Sequence, residues 1–146
     1  MARYEHLPIY KAAFDMAGHI EKIVRNFSRY HKYTLGTELR DCSRKVLKQI
    51  IEANASRARE PLLLQLRQDL EWFKVLARLC HEAGGFASTR AYLHVSEQVV
   101  GIARQNEGWL RQTSKSREGR TTRKISGEAG HGRCEVESDG PADPGP

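Results

Sequence analysis

Positively charged side chains recur at four-residue steps in the first half of the chain. Arg40, Arg44 and Lys48 fall on one side of a helix when about 100° is assigned to each residue, and Arg57 follows them. Guanidinium and ammonium groups in such a row can neutralise successive phosphates of a nucleic acid. On spacing alone, a solvated helix face fits the same pattern equally well. Phosphate binding is therefore the first functional hypothesis, and a plain solvated face is its alternative.

A second group of cations precedes this row, at the end of a predicted helix and in the polar connection after it. Tyr30 and Tyr33 are interleaved with these cations. An aromatic ring beside cations can stack on a base, although such tyrosines also commonly close the end of a bundle. The candidate nucleic-acid site joins both groups and comprises Arg25, Arg29, Lys32, Arg40, Arg44, Lys48 and Arg57.

The sequence offers no residue pattern that is typical of catalysis. Five candidate metal ligands do not follow a recognised spacing: His19, Cys42, Cys80, His81 and His94. The pair Gly84-Gly85 lacks the preceding strand and the following lysine of a phosphate loop. The predicted helices hold no inward Glu-x-x-His pair of the kind that di-iron bundles use. We therefore expect a binding protein that is not an enzyme and has neither a metal nor a cofactor.

Composition bounds the class of protein. A chain of 146 residues suffices for one domain with one core. Its 24 Lys and Arg against 18 Asp and Glu give a net charge of +6, which suits a phosphate-rich partner or an anionic surface. Three cysteines without close pairing argue against a disulfide scaffold and for a reducing cytoplasm. The polar N-terminus is unlike a signal peptide, and no apolar run approaches the ~20 residues that cross a bilayer. The sequence predicts a soluble cytoplasmic protein with no membrane partner.

Apolar periodicity predicts four helices, at about residues 7–27, 37–57, 60–82 and 88–111, and no strand. Pro8 fits the first turn of the first helix, and Thr37 is expected to cap the second. Gly84 and the following glycine end the third helix, and Ser88 or Thr89 caps the fourth. A tight link makes the second and third helices antiparallel neighbours. The expected fold class is all-α, an antiparallel up-down four-helix bundle.

The third predicted helix is apolar on two sides. One side holds Leu62, Leu66, Leu70, Phe73, Ala77 and Cys80, and the second side holds Leu64, Trp72, Val75 and Leu79. A charged strip lies between them: Arg67, Glu71, Lys74 and Arg78. A helix with two apolar sides needs two partners. The second side is expected to form an oligomer interface, with a neighbouring helix at a bundle corner as the alternative.

The composition changes after Thr113. Residues 114–146 hold serine, glycine, proline and charges, with Ile125 and Val136 as the only β-branched apolar residues. Such a segment cannot bury enough surface to offset its ordering entropy, so it is predicted to be a disordered tail behind a bundle of residues 1–113. Residues 115–124 contain five basic residues and one acidic residue, Glu118, and so carry a positive charge. An equal acidic excess from residue 125 onward cancels this charge. The bundle alone therefore carries the +6.

Two stretches of the sequence support a family resemblance. Tyr33-Thr34-Leu35-Gly36 leads into Leu39-Arg40, and Lys48-Gln49-Ile50-Ile51-Glu52-Ala53 follows. The chain resembles, over about residues 7–111, the four-helix-bundle family of accessory variability determinant proteins of diversity-generating retroelements. That family also includes the proteins encoded in bacterial 23S ribosomal RNA intervening sequences. Leu-Pro-Ile-Tyr-Lys at residues 7–11 is similar to the retroelement branch. The intervening-sequence branch usually has Ser-x-x-Asn-Ile-Ala-Glu-Gly near the end of the second helix, and residues 51–57 lack its glycine.

The resemblance implies a specific function. In the retroelement branch the bundle assembles as a pentamer with a basic surface and has no catalytic activity. It associates with the reverse transcriptase and with the template RNA or cDNA, and it supports mutagenic cDNA synthesis. We therefore expect a homo-oligomer whose partners are a reverse transcriptase and RNA, with DNA as a further ligand. The alternative is a structural protein–protein adaptor of the intervening-sequence type without a specific nucleic-acid role.

Overall fold

Four long helices and two short helical turns make up the structure, a computed structural model that describes the backbone of residues 3–139 and the side chains of residues 4–119. A 3-10 turn at Arg3–His6 precedes α1, Pro8–Arg25. A single turn, α2, covers Arg29–Lys32, and α3 covers Leu35–Ala55. The last two helices are α4, Arg59–Glu82, and α5, Thr89–Asp139. Residues 3–139 contain no strand, and the predicted all-α four-helix bundle is confirmed.

The apolar residues at helical spacing form one large core and a smaller cluster of Ala53, Leu63 and Leu110. Every residue of the predicted stripe on α1 is buried: Ile9, Ala13, Met16, Ala17, Ile20, Ile23, Val24 and, just after the helix, Phe27. The apolar residues at helical spacing on α3 are buried too, apart from the half-buried Leu47: Leu39, Cys42, Val46, Ile50 and Ala53. α4 contributes Leu66, Leu70 and Phe73, and α5 contributes Val95, Val99 and Ile102 to the large core. Burial of these side chains from four helices is the main driving force for the fold.

Contacts between side chains and backbone show that successive long helices run antiparallel. The Cys80 thiol near the end of α4 lies 3.9 Å from the Leu35 carbonyl oxygen at the start of α3. The buried Asn106 amide of α5 donates a 3.1 Å hydrogen bond to the Leu63 carbonyl near the start of α4. α5 therefore packs along α4 in the opposite direction over the residues up to Arg111.

Three of the predicted helix boundaries are confirmed by their local geometry. Pro8 occupies the first turn of α1. Gly84 has a φ of 82°, a left-handed conformation that favours glycine, and it follows the end of α4. The Ser88 hydroxyl accepts a 3.1 Å hydrogen bond from the Ala91 backbone N–H, as a helix N-cap does.

The predicted start of the second long helix is wrong. Thr37 lies inside α3, which begins at Leu35, and its hydroxyl donates to the Lys32 carbonyl at 3.3 Å instead of accepting from the helix. The polar connection predicted at residues 28–32 is helical over α2, where the Lys32 N–H donates to the Ser28 carbonyl at 2.8 Å. Because α2 already turns the chain, the N-cap position of α3 is Thr34, three residues before the predicted cap.

The last helix extends beyond its predicted end at Arg111. It continues to Asp139, although the chain divides after Arg111 into two units, residues 1–111 and 112–146. The division into a bundle and a disordered tail stays a prediction, and its last residues, 140–146, lie outside the described residues. Among the helices that the structure describes, none is both long and apolar enough to cross a membrane.

Candidate nucleic-acid interface

The cationic row on α3 shares its surface with a carboxylate of α1. Arg40 Nε lies 3.0 Å from one carboxylate oxygen of Glu21, and Arg44 Nη2 donates a hydrogen bond to the other. Arg44 also lies 4.0 Å from Asp41. Lys48, one turn further along α3, is exposed. The structure therefore brings together the three predicted cations, but it places two of them in ion pairs within the chain.

The second group of cations lies at the end of the bundle where α1 ends and α3 begins. Arg25 and Arg29 are exposed and Lys32 is half-buried. Since α1 and α3 are antiparallel, this group continues the row of Arg40 and Arg44 toward that end. Arg57 is exposed after the other end of α3, which at 1.5 Å per residue is roughly 30 Å away. Arg57 therefore lies far from the other predicted cations at the start of α3.

The side chains of two tyrosines beside these cations are largely exposed to solvent. Tyr30 is 79% exposed and Tyr33 is 71% exposed, so neither closes the end of the core. Phe27 and Phe86 do so instead, with ring centroids 5.4 Å apart. Exposed aromatic rings among cations combine the two features that single-stranded nucleic acids bind, a stacking face and a positive charge. The sequence allows these tyrosines either to close the end of the bundle or to stack on a base. In the structure they do not close the bundle, and both rings are available for stacking.

Close helix packing at Gly36 holds this surface in place. Gly36 is buried, and a Cβ atom built on it would lie 2.8 Å from Val24 Cγ1 and 3.1 Å from the His31 carbonyl oxygen. Leu39, one turn later, is fully buried in the core. The missing side chain lets the start of α3 approach the end of α1, which places Arg40 beside Glu21. The Gly-x-x-Leu-Arg segment of the predicted motif therefore positions the cationic row.

The second apolar side of α4 faces outward in the single chain. Leu64, Trp72, Val75 and Leu79 are 40%, 51%, 55% and 48% exposed. The first side is buried in the core, apart from the half-buried Leu62. This two-sided distribution follows the sequence prediction, and it leaves a large apolar surface with a tryptophan on a single helix. Contiguous exposed apolar patches of this kind commonly mark interaction sites.

The charged strip of α4 joins α4 to α5. Arg67 donates two hydrogen bonds, of 2.6 and 2.7 Å, to the carboxylate of Glu107, and Lys74 pairs with Glu71 at 2.8 Å. The hydrogen bonds lower the pKa of the Glu107 carboxyl and raise the pKa of the Arg67 guanidinium. These residues border a groove of about 210 Å³ between the two helices. Two cations of this strip, Arg67 and Lys74, are therefore already paired with carboxylates.

The two cysteines among the described side chains, Cys42 and Cys80, are buried in the core. Burial raises the pKa of both the Cys42 and the Cys80 thiol to about 11, so each stays protonated and a poor nucleophile near neutral pH. Within residues 4–119, no group of three or more histidine, cysteine, aspartate or glutamate side chains could hold a metal ion. The chemistry of the described surface is that of charged and aromatic binding groups.

The structure defines a small four-helix bundle that carries cations along α3 and at the end where α1 meets α3, and whose α4 exposes an apolar face. Its sequence matches the model of the bAvd-like family, the bacterial accessory variability determinants, over residues 9–113, and the chain belongs to this family. The match spans well over half of the chain and coincides with the bundle. No curated protein matches the sequence. Family membership supports an accessory role in a diversity-generating retroelement, and the family is generally non-catalytic.

Proposed function

We propose that the protein is a non-catalytic accessory subunit that binds the reverse transcriptase and the template RNA or cDNA of a diversity-generating retroelement. The observation that carries the proposal is the family match over residues 9–113, which covers the bundle and its cationic surface. In this role the protein supports mutagenic cDNA synthesis without reacting chemically itself, and it acts in the cytoplasm. Its contribution is to hold the polymerase and the nucleic acid together.

The charge distribution supports nucleic acid as one of the ligands. The tail is neutral overall, so the bundle carries the entire net charge of +6. Arg25, Arg29 and Lys32 present positive charge beside the exposed rings of Tyr30 and Tyr33. Contacts to phosphates and stacking are largely independent of base sequence. The surface therefore suits an RNA template whose sequence varies from one target gene to another.

The exposed face of α4 supports assembly of several copies. A charged strip lies beside Leu64, Trp72, Val75 and Leu79, so the apolar patch has the polar border that is typical of protein interfaces. By the family resemblance the assembly is a homopentamer. Several copies repeat the cationic group, so that a moderate charge per chain becomes a broad positive surface.

Salt-dependent binding of a fluorescently labelled single-stranded RNA tests the proposal. One variant replaces Arg25, Arg29 and Lys32 by Ala, and the matched control replaces Arg67, Lys74 and Arg78 by Ala, which removes the same charge from α4. The first variant should bind RNA more weakly, and the slope of log K against log salt should fall by roughly 0.7 for each lost phosphate contact. The control should retain most of the wild-type affinity. Circular dichroism checks that both variants are folded.

One observation favours the adaptor alternative, in which the positive charge only keeps the protein soluble. Glu21 forms ion pairs with Arg40 and Arg44, as expected for cations that stabilise the fold. If the protein is such an adaptor, the two triple variants should bind RNA equally, or the wild-type protein should show no salt-dependent binding. Co-purification of the full chain with a reverse transcriptase of a diversity-generating retroelement then tests the protein partner separately.

A further inference from the structure

Two histidines from different helices lie in contact on the surface of the bundle. The ring centroids of His19 on α1 and His94 on α5 are 4.6 Å apart, and the ring planes are inclined by 76°. His19 is half-buried and His94 is exposed, so the pair is open to solvent. Because the two residues lie far apart in the sequence, no spacing motif identifies the pair, and only the fold brings it together.

A glutamine fixes the orientation of one of these rings. Nδ1 of His19 lies 2.9 Å from Oε1 of Gln98, which is one helical turn after His94 on α5. With Oε1 as the acceptor, Nδ1 carries the proton, and Nε2 of His19 keeps its lone pair. A metal-binding histidine nearly always donates its second ring N–H to such an oxygen, because this bond fixes the tautomer and orients the ring.

The separation of the rings fits a shared ion. Two imidazoles bound to one ion at right angles have ring centres about 4.5 Å apart when the metal–nitrogen bonds are about 2 Å. We propose that His19 and His94 bind one divalent late transition-metal ion, with Gln98 as the residue that positions His19. Ni²⁺ and Cu²⁺ suit imidazole nitrogens and place neighbouring ligands at right angles, which matches this separation. Two protein ligands leave the remaining positions to water, so the ion exchanges readily.

Such an ion links α1 to α5 across the bundle. The site is separate from the cationic row, because His19 faces α5 whereas Glu21, two residues later on the same helix, faces α3. An ion that binds the folded chain more strongly than the unfolded chain raises its thermal stability. The inference therefore concerns a stabilising link between helices and is independent of the proposed nucleic-acid role.

Thermal unfolding of the full chain with added Ni²⁺ tests this site. The tail contains His131 and Cys134, which could also bind the metal, so the parent protein carries His131→Ala and Cys134→Ser and no histidine tag. Ni²⁺ should raise the unfolding temperature of this parent. Replacing His19 or His94 by Ala should abolish the increase, whereas replacing the exposed His6 by Ala should leave it unchanged.

The positioning role of Gln98 has its own measurement. Replacing Gln98 by Leu should weaken Ni²⁺ binding in calorimetry by roughly 10–100-fold, as loss of a group that orients a ligand typically does. Electron paramagnetic resonance of the parent loaded with Cu²⁺ should show two coordinated nitrogens, and the His94→Ala variant should lose one of them. No Ni²⁺-dependent stabilisation of the parent, or equal stabilisation of the parent and both histidine variants, would overturn the proposal.

Discussion

Arg44 on α3 donates a hydrogen bond to Glu21 on α1, so a carboxylate lies within the row of cations that is proposed to meet phosphate. Arg40 lies 3.0 Å from the second oxygen of the same carboxylate. The side chains of Glu21 and Arg40 are about one-third exposed and that of Arg44 is 55% exposed, which leaves all three accessible to a ligand. Glu21 and a phosphate therefore compete for the same guanidinium groups.

Replacing Glu21 by Gln should strengthen RNA binding by removing this competitor. The released arginines can each contact a phosphate, so the salt dependence should become steeper by roughly 0.7 for each added contact to a single strand. Titration of labelled RNA at several salt concentrations measures both effects. Glu97→Gln, at an exposed position of α5, removes the same charge away from the row. An equal gain in both variants would show that only net charge matters.

Replacing Gly36 by Ala should destabilise the bundle by about 1–3 kcal/mol, because the new methyl group overpacks the contact between α1 and α3. A Cβ atom at this position lies 2.8 Å from Val24 and 3.3 Å from the Phe27 ring. Gly18→Ala is the control, since Gly18 in α1 has no atom within 4 Å of its Cβ position. Alanine there should stabilise the helix by up to ~1 kcal/mol. Urea unfolding that shows no loss of stability in Gly36→Ala would contradict the close packing.

The helices and their buried faces could be predicted from the sequence because they depend on local periodicity. The stripe on α1, the two sides of α4 and the left-handed Gly84 all follow from residue types at helical spacing. The cap at Thr37 was predicted wrongly, since the single turn of α2 competes with a cap signal that is worth only about 1 kcal/mol.

The pairings across helices could not be predicted. Glu21 and Arg44 carry no sequence signal that connects them, and neither do His19 and His94. Each contact depends on the rotation of one helix against another, which is set by packing details such as the missing side chain of Gly36. The sequence therefore indicated the cations of the candidate site but not Glu21, whose carboxylate forms ion pairs with two of them.

Replacing Trp72 by Glu should dissociate the proposed oligomer and leave the helix content nearly unchanged. Trp72 is 51% exposed in the single chain, so a charge at this position destabilises an interface but not the core. Light scattering measures the mass, and circular dichroism measures the helix content. Phe14→Glu is a matched control, because Phe14 on α1 is similarly exposed, at 56%. A wild-type protein that is monomeric at micromolar concentration excludes this interface.

The pair of Arg67 and Glu107 should contribute to stability only above the acidic range. The hydrogen bonds from Arg67 depress the pKa of Glu107 in the folded chain, so the contribution is present above the ordinary glutamate pKa of about 4.3 and is lost as the pH falls through the lowered value. Glu107→Gln should therefore lower the unfolding temperature slightly at pH near 7 and not at strongly acidic pH. Both side chains are nearly half exposed, so added salt should reduce the difference. A difference that is independent of pH would show that the charge of Glu107 is not involved.

Deleting residues 114–146 should leave the thermal midpoint of the bundle nearly unchanged. The core residue of α5 nearest to the deletion is Leu110, and the deleted segment holds few apolar residues, so we expect the truncation to remove little apolar burial. Circular dichroism of the same pair of proteins distinguishes the two descriptions of this segment. A tail that is helical to Asp139 contributes to the ellipticity per molecule, and the truncated protein should lose that part. A disordered tail contributes almost none, because an isolated polar helix gains little from tertiary packing. A large fall in the midpoint would instead show that residues beyond 113 stabilise the bundle.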